Sequence, residues 1–325
     1  MGQRAAILKV DVTLFQMHTG FMMQAMIPFP EISPEIFTLP IGGIEFSLRW
    51  YALAYIVGII IAWRVSVRAI GTARLWAAEP PCTKEQLEDL LTWIILGIII
   101  GGRLGFVLFY EPAYFLANPS KILQVWQGGM AFHGGFLGVV IASWLWTVRN
   151  GVSKIGAADT IALGVPWGLM LGRLANFINA ELWGRPADVP WAMKFPTMCR
   201  DSVLQGCEQV GAWFYTGGEL ARHPSQLYQA ALEGALLGAV LLWLAYRRDA
   251  LKKPGMVLGV FVAGYGIARF VVEHFREADA QFITPDNPLG HVLRLGEFGV
   301  SMGQLLSLPM IIVGLGFVLY AKRRG

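Results

Sequence analysis

The chain has 325 residues, of which 55% are hydrophobic and only 15% charged, with a formal net charge of +4. A soluble domain carries about 25% charge, so the composition excludes an ordinary globular protein and indicates an integral membrane protein. The positive charge gathers in clusters at segment ends, which suits an inner-leaflet surface; nothing resembles a nucleic-acid-binding module, and no nucleic-acid partner is expected.

In chain order, residues 1–26 come first. Arg4 and Lys9 precede apolar residues that Asp11 and His18 interrupt, and no clean cleavage site follows, so an N-terminal extension or an upstream start is expected rather than a signal peptide. Residues 27–325 read as a single transmembrane domain without internal repeats. Apolar runs near the ~20 residues that span a bilayer recur at 49–68, 89–110, 132–149, 158–178, 226–246, 256–275 and 301–321. Because lipid offers the backbone no hydrogen-bond partners, each run is predicted to be a helix, giving an all-α membrane protein of about seven transmembrane helices. Gly101-Gly102, Gly128-Gly129 and Gly134-Gly135 allow close helix approach or tight turns.

Arg64, Arg68 and Arg74 follow the first helix. Arg149 and Lys154 lie between the third and fourth, Arg247, Arg248, Lys252 and Lys253 between the fifth and sixth, and Lys322, Arg323 and Arg324 after the last. Seven crossings put all of these on one side, which predicts a cytoplasmic C-terminus and a periplasmic N-terminus. The outer side then receives polar loops at about 180–225 and 277–300. Cys82 falls in a cytoplasmic loop and is expected to stay reduced. Cys199 and Cys207 share the long outer loop, where a structural disulfide is expected. No spacing suggests zinc, a magnesium-held phosphate or an acyl hydrolase, so neither a metal nor a cofactor is expected.

The polar residues inside these runs carry the chemistry. Gly172-Arg-Leu-Ala-Asn-Phe-Ile-Asn-Ala-Glu-Leu-Trp-Gly184 closes the fourth run. An intramembrane charge costs on the order of 2.5–3.5 kcal/mol by insertion scales, so it usually has a use. Arg173 and Asn176, three apart, share a helical face, and a fixed guanidinium beside an amide suits an anionic headgroup such as a phosphate. The alternative is an arginine that snorkels to the interface or pairs with a glutamate to lock the bundle. Arg173 lies roughly 7.5 Å, and Arg269 roughly 10 Å, inside the outer end of its helix. Tyr265, Arg269, Glu273 and Arg276 form one polar stripe, and His133 opens the third helix from the outer side. Each has a plainer reading: Glu273 neutralising Arg269, His133 as an interfacial histidine, Tyr265 and Trp183 as aromatic belt. Arg103 and Glu233 read as structural charges, with each other as the candidate partner. The functional case rests on convergence at one depth from the third, fourth and sixth helices.

With these stretches, Gly101-Gly-Arg-Leu-Gly-Phe-Val-Leu-Phe-Tyr110, Gly128–Gly135, Arg222-His-Pro-Ser-Gln-Leu-Tyr228, Gly264-Tyr-Gly-Ile-Ala-Arg269 and Ser301-Met-Gly-Gln304 make the chain similar to the bacterial prolipoprotein diacylglyceryl transferases from about Ile27 onward. Ala180 and Ala52 stand where that family more often has glycine. The resemblance implies an inner-membrane transferase facing the periplasmic leaflet. It would move the diacylglyceryl group of phosphatidylglycerol to the lipobox cysteine of a prolipoprotein signal peptide, releasing glycerol phosphate. It implies catalytic roles for His133, Arg173, Arg269 and Tyr265, and substrate binding by Tyr51, Asn176, Glu181 and Gly184. The competing classes are a lipid-binding protein or flippase, which needs a polar route through both leaflets, and an ion transporter, which favours broken helices and an inverted repeat.

Overall fold

Every apolar run is helical in the computed structural model, which describes residues 27–30, 32–41, 44–196, 207–210, 213–216, 220–278, 280–295 and 298–324. The helices are α1 (Trp50–Ile70), α2 (Lys84–Phe109), α3 (Phe132–Asn150), α4 (Lys154–Ile178), α5 (Ser225–Arg247), α6 (Met256–Val272) and α7 (Met302–Arg324). Among them α1, α2, α4, α5 and α7 are the 5 helices long and apolar enough to cross a membrane. The apolar α6 is shorter, at 17 residues. The 19-residue α3, which carries His133 and a run of glycines, falls outside the set of five.

Two helices start earlier than hydropathy suggests, because their first turns are polar and capped. Thr83 Oγ1 accepts from the Gln86 amide at 3.2 Å while Gln86 Oε1 accepts from the Thr83 amide at 2.9 Å, a reciprocal box that starts α2 at Lys84. Ser153 Oγ accepts from the Gly156 amide at 3.2 Å and starts α4 at Lys154.

Glycine seams join the helices in pairs. A methyl group on Gly101 would strike the Gly134 carbonyl and sit 2.8 Å from Gly138 Cα, so α2 and α3 touch backbone to backbone. A methyl group on Gly58 would sit 3.0 Å from Gly168 Cα across α1 and α4, and one on Gly259 would sit 2.8 Å from the Gly314 carbonyl oxygen across α6 and α7. Lipid gives helices little hydrophobic reason to associate, so close van der Waals contact through small residues takes that place. Leu75, Leu90, Trp146, Leu163, Leu241 and Val257 form a buried core towards one end of the bundle. There Asp159 of α4 accepts the Gly255 and Leu258 amides, each at 2.7 Å, and caps the start of α6. Cys82 is buried beside this core, and burial pushes its thiol up to about 11, so it stays a thiol. Large apolar side chains such as Ile100, Phe136 and Ile312 face outward.

The opposite end contains short strands that hydropathy did not predict. β1 (Ile27–Pro28) pairs in parallel with β4 (Met193–Lys194), and β2 (Glu35–Ile41) forms an antiparallel hairpin with β3 (Ile44–Arg49) leading into α1. β5 (Cys207–Val210) pairs with β6 (Trp213–Thr216), and β7 (Leu293–Leu295) with β8 (Phe298–Val300). The expected Cys199–Cys207 bridge and residues 1–26 lie outside the described residues.

One expectation is corrected. Arg103 does not pair with Glu233. Its guanidinium donates to the carbonyls of Lys121 (2.6 Å), Ile122 (2.8 Å), Gly128 (2.6 Å) and Gly129 (3.2 Å), and lies over the Phe115 ring at 5.0 Å. The connection from α2 to α3 is a six-residue helix (Pro112–Ala117) followed by short 3-10 turns whose carbonyls have few amide donors of their own, and Arg103 supplies donors to them. Glu233, on α5, faces Arg173.

Candidate active site

The end of α4 sets the first part of the site. Asn179 caps the helix, Ala180 follows in the left-handed region at φ 51, the Ala180 amide donates to the Phe177 carbonyl at 2.9 Å, and the Glu181 amide donates to the Asn176 carbonyl at 3.1 Å. This paired arrangement is a Schellman termination, which folds the chain back over the last turn. Glu181 is thereby returned to its own helix, where Oε1 accepts from Asn176 Nδ2 at 2.8 Å. The same Asn176 amide nitrogen donates to the Tyr51 hydroxyl, 3.0 Å away in the first turn of α1. The Glu181 backbone carbonyl accepts from Gln226 Nε2 at 2.6 Å, tying in the start of α5. Arg173 reaches Asn176 Oδ1 only at the long distance of 3.5 Å.

The second part comes from α5 and α6. Within α5, Ala230–Leu236 forms a wider π turn, a departure from α-helix that is frequent at functional sites, and Glu233 lies inside it. Glu233 is fully buried, 3.6 Å from Arg173 Nε, and accepts from Gln229 Nε2 at 3.4 Å. Tyr265 of α6 lies within electrostatic reach of Glu233, Arg173 and Arg269. One turn further along α6, Arg269 forms an ion pair with Glu273, whose same oxygen faces Arg276 at 3.5 Å. The other oxygen of Glu273 accepts from Ser301 Oγ at 2.8 Å. Glu233 is in turn within the fields of Arg173, Arg269 and Arg276. Helices α1, α4, α5 and α6 and the start of α7 therefore build one cluster.

Of the sequence-predicted residues, Tyr51, Arg173, Asn176, Glu181, Tyr265 and Arg269 come together here. His133 does not join them by any hydrogen bond or ion pair among the described residues. It is exposed in the first turn of α3, edge-on to the Phe132 ring at 5.7 Å, on a helix whose glycines pack against α2. The polar convergence is thus from α4, α5 and α6, with α5 in the place expected of α3. Gly184 lies where the loop between α4 and α5 meets the segment after α6. Its amide donates to the His223 carbonyl at 2.9 Å, its carbonyl accepts from Arg222 at 3.2 Å, and a methyl group there would strike the Phe275 carbonyl. Nearby, Arg222 pairs with Glu277 at 2.9 Å, Glu277 accepts from Trp183 Nε1 at 3.1 Å, and burial lowers the His223 pKa.

Sequence reasoning passed over Gln226, Gln229 and Ser301 and read Glu233 as scaffold. The signal was present: Gln226, Gln229 and Glu233 stand three and four apart in an otherwise apolar helix, the same spacing that marked α6. Among the described residues, no group of His, Cys, Asp or Glu is disposed to hold a metal ion. In the ion-pair cluster, Arg173, Arg269 and Arg276 meet Glu233 and Glu273, three guanidiniums against two carboxylates. Such a cluster, shielded from water, can attract an anion and stabilise negative charge that grows on it.

A family model described as prolipoprotein diacylglyceryl transferase matches residues 37–320. The phosphatidylglycerol–prolipoprotein diacylglyceryl transferase of Ruegeria pomeroyi is 62% identical over 301 residues, covering 92% of this chain and 99% of the relative. Transferases of the same name from Roseobacter denitrificans, 56% identical with 92% and 99% covered, and Cereibacter sphaeroides, 55% identical with 91% and 98% covered, are also similar.

Proposed function

The chain belongs to the prolipoprotein diacylglyceryl transferase family, and from that premise we propose that it transfers the diacylglyceryl group of phosphatidylglycerol to the lipobox cysteine thiol of a prolipoprotein in the bacterial inner membrane. The observation that carries the assignment to this site is a pair of arginines on different helices, each held by a buried carboxylate: Arg173 of α4 by Glu233 and Arg269 of α6 by Glu273. Neither arginine is exhausted by its partners. Arg173 holds Glu233 and Asn176 only at 3.6 and 3.5 Å, which leaves N–H groups for a phosphate.

In the reaction, the cysteine sulfur attacks the glyceryl carbon that bears the phosphate. The S–C bond forms as the C–O bond breaks, and the electron pair leaves on the oxygen of glycerol phosphate. The leaving group passes from phosphodiester monoanion to phosphomonoester, so negative charge grows where Arg173 and Arg269 point, and no metal is needed to neutralise it. Tyr265 and Asn176, the latter held by Tyr51 and Glu181, orient the headgroup. Gly184 serves by allowing the outer loops to close over the α4 terminus. A thiol of pKa about 8.5 is mostly protonated at neutral pH, and His133, exposed at the outer end of α3, is the candidate to accept its proton. We place residues 27–325 in one catalytic domain of seven crossings, with the N-terminus periplasmic, the C-terminus cytoplasmic and the cluster in the outer leaflet. The distribution of Lys and Arg supports that orientation.

The test is direct: purified protein, phosphatidylglycerol and a lipobox peptide, with mass spectrometry for the diacylglyceryl increment. Arg173→Lys and Arg269→Lys are each expected to lose at least about 100-fold in turnover while remaining folded, since an ammonium cannot reproduce the guanidinium fork. Near-normal turnover in either would sink the phosphate role of that arginine.

A further inference from the structure

The last helix opens with Ser301-Met-Gly-Gln304, a stretch to which the transfer chemistry gives no task. Ser301 and Gln304 cap α7 reciprocally: the Gln304 amide donates to Ser301 Oγ at 3.2 Å and the Ser301 amide donates to Gln304 Oε1 at 2.9 Å. Capping alone needs only the acceptor side of the serine hydroxyl. Its proton goes elsewhere, to Glu273 Oε2 at 2.8 Å. Ser301, Gln304 and Glu273 are all buried, so these bonds form out of water. Two residues on, a methyl group at Gly303 would fall on the Glu273 carboxylate, 2.5 Å from Oε1 and 2.6 Å from Oε2. Glycine in the first turn of a helix costs about 1 kcal/mol relative to alanine, and here the carboxylate leaves room for nothing larger. Glu273 thus lies in a notch made by the start of α7, close to the positive end of that helix. Its other oxygen faces Arg269 and Arg276.

We propose that the Ser301–Gly303 turn is a carboxylate cradle that positions Arg269. Ser301 holds one oxygen of Glu273 while Gly303 lets the whole carboxylate lie against the start of α7, so that the other oxygen is offered to the arginines. The carboxylate cannot rotate into a two-oxygen fork on Arg269, and the remaining N–H groups of that guanidinium stay directed at the lipid phosphate. Ser301 and Gly303 are positioning residues, acting through Glu273. The proposal rests on the reading of Arg269 as a phosphate ligand.

The experiment uses the full chain in detergent with phosphatidylglycerol micelles and a lipobox peptide. Ser301→Ala removes the donor, Ser301→Thr keeps it, and Gly303→Ala keeps every donor but fills the notch. Ser301→Ala is expected to lower kcat/KM for phosphatidylglycerol about tenfold, and Gly303→Ala about 10- to 100-fold, since a misplacement near 1 Å costs up to about 100-fold. The KM for the peptide should not move, Ser301→Thr should recover most of the loss, and Gly303→Ala should melt near the wild-type temperature. Wild-type kinetics in Gly303→Ala, or losses in both variants that simply follow the melting temperature, would overturn the cradle. Arg269→Lys, assayed beside them, separates the two claims. If it is inactive while Gly303→Ala is normal, only the cradle fails; if it is active, the phosphate reading fails and takes the cradle with it.

Discussion

Two arginines sit inside this bundle in opposite circumstances. Arg103, on the α2–α3 side, spends its guanidinium on four backbone carbonyls at 2.6 to 3.2 Å and stacks over Phe115. Arg173, on the α4–α6 side, has its carboxylate partner at 3.6 Å and its amide partner at 3.5 Å. Both are intramembrane charges, costly in the same way, and the sequence reads the first as structural and the second as a headgroup ligand. What separates them is satisfaction. An arginine with four of its five donors on fixed carbonyls is a clamp, and one held loosely among movable side chains is open to a ligand. The difference also explains why glycine seams lie on both sides while the carboxylates gather on one. Close backbone contact suffices to join helices, and buried glutamates are needed only where positive charge must be held ready without its substrate.

The largest effect should come from breaking the clamp. Arg103→Ala leaves the carbonyls of Lys121, Ile122, Gly128 and Gly129 without this donor, and an unsatisfied buried acceptor costs about 1–3 kcal/mol. Water reaching some of them reduces the sum, so a loss of roughly 3–5 kcal/mol is expected, read as a large drop in melting temperature in detergent. Activity per folded molecule should stay within a few-fold of wild type. If Arg103→Ala instead melts normally and loses turnover, as Arg173→Lys should, the contrast between clamp and ligand site is wrong.

The helices were legible because hydropathy is a property of consecutive residues, and the boundaries erred most where polar caps at Thr83 and Ser153 extend a helix beyond its apolar run. Arg173, Asn176, Tyr265 and Arg269 were legible because polar side chains at helical spacing in an apolar run have few other uses. Tyr51 and Glu181 were reached through resemblance alone. Their partner Asn176 lies 125 and 5 residues away along the chain, and only the Schellman turn and the α1–α4 seam bring the three together. The partners of Arg103 were not legible at all, because carbonyl acceptors belong to every residue and carry no signature. Glu233 was misassigned for the same reason: which helix a buried charge faces is a fact of packing.

His133 sharpens the comparison, because it stands on the clamp side of the molecule and is assigned to the chemistry of the other. If it accepts the thiol proton, His133→Asn should slow transfer about 100-fold at pH 7, and raising the pH to about 9, where the thiol ionises unaided, should restore much of the rate. The sign follows from the substrate: thiolate is scarce below its pKa of about 8.5, where a base matters most, and abundant above it. A defect of equal size at both pH values would assign His133 to the scaffold with Arg103.

The smallest effect concerns the turn that separates the cluster from the loop between α4 and α5. Ala180 occupies the position of the Schellman motif that glycine usually fills, at φ 51. A left-handed backbone costs an L-residue roughly 1–2 kcal/mol, and glycine escapes it. Against that, Ala180 is buried against Phe29 and Phe195, and deleting its methyl group gives up about 0.8 kcal/mol of apolar burial, while glycine also adds freedom to the unfolded chain. The terms nearly cancel, so Ala180→Gly should shift the melting temperature by no more than about 3 °C and leave turnover unchanged. Ala180→Val keeps the burial but places a β-branched residue where the left-handed region is a genuine outlier. It should therefore lower the melting temperature clearly and, by moving Glu181 away from Asn176, reduce turnover as well. Thermal melts of the two variants side by side decide the point. If valine is as well tolerated as glycine, the backbone at residue 180 does not hold Glu181 in place, and the hydrogen bond from Asn176 must be what keeps the turn closed.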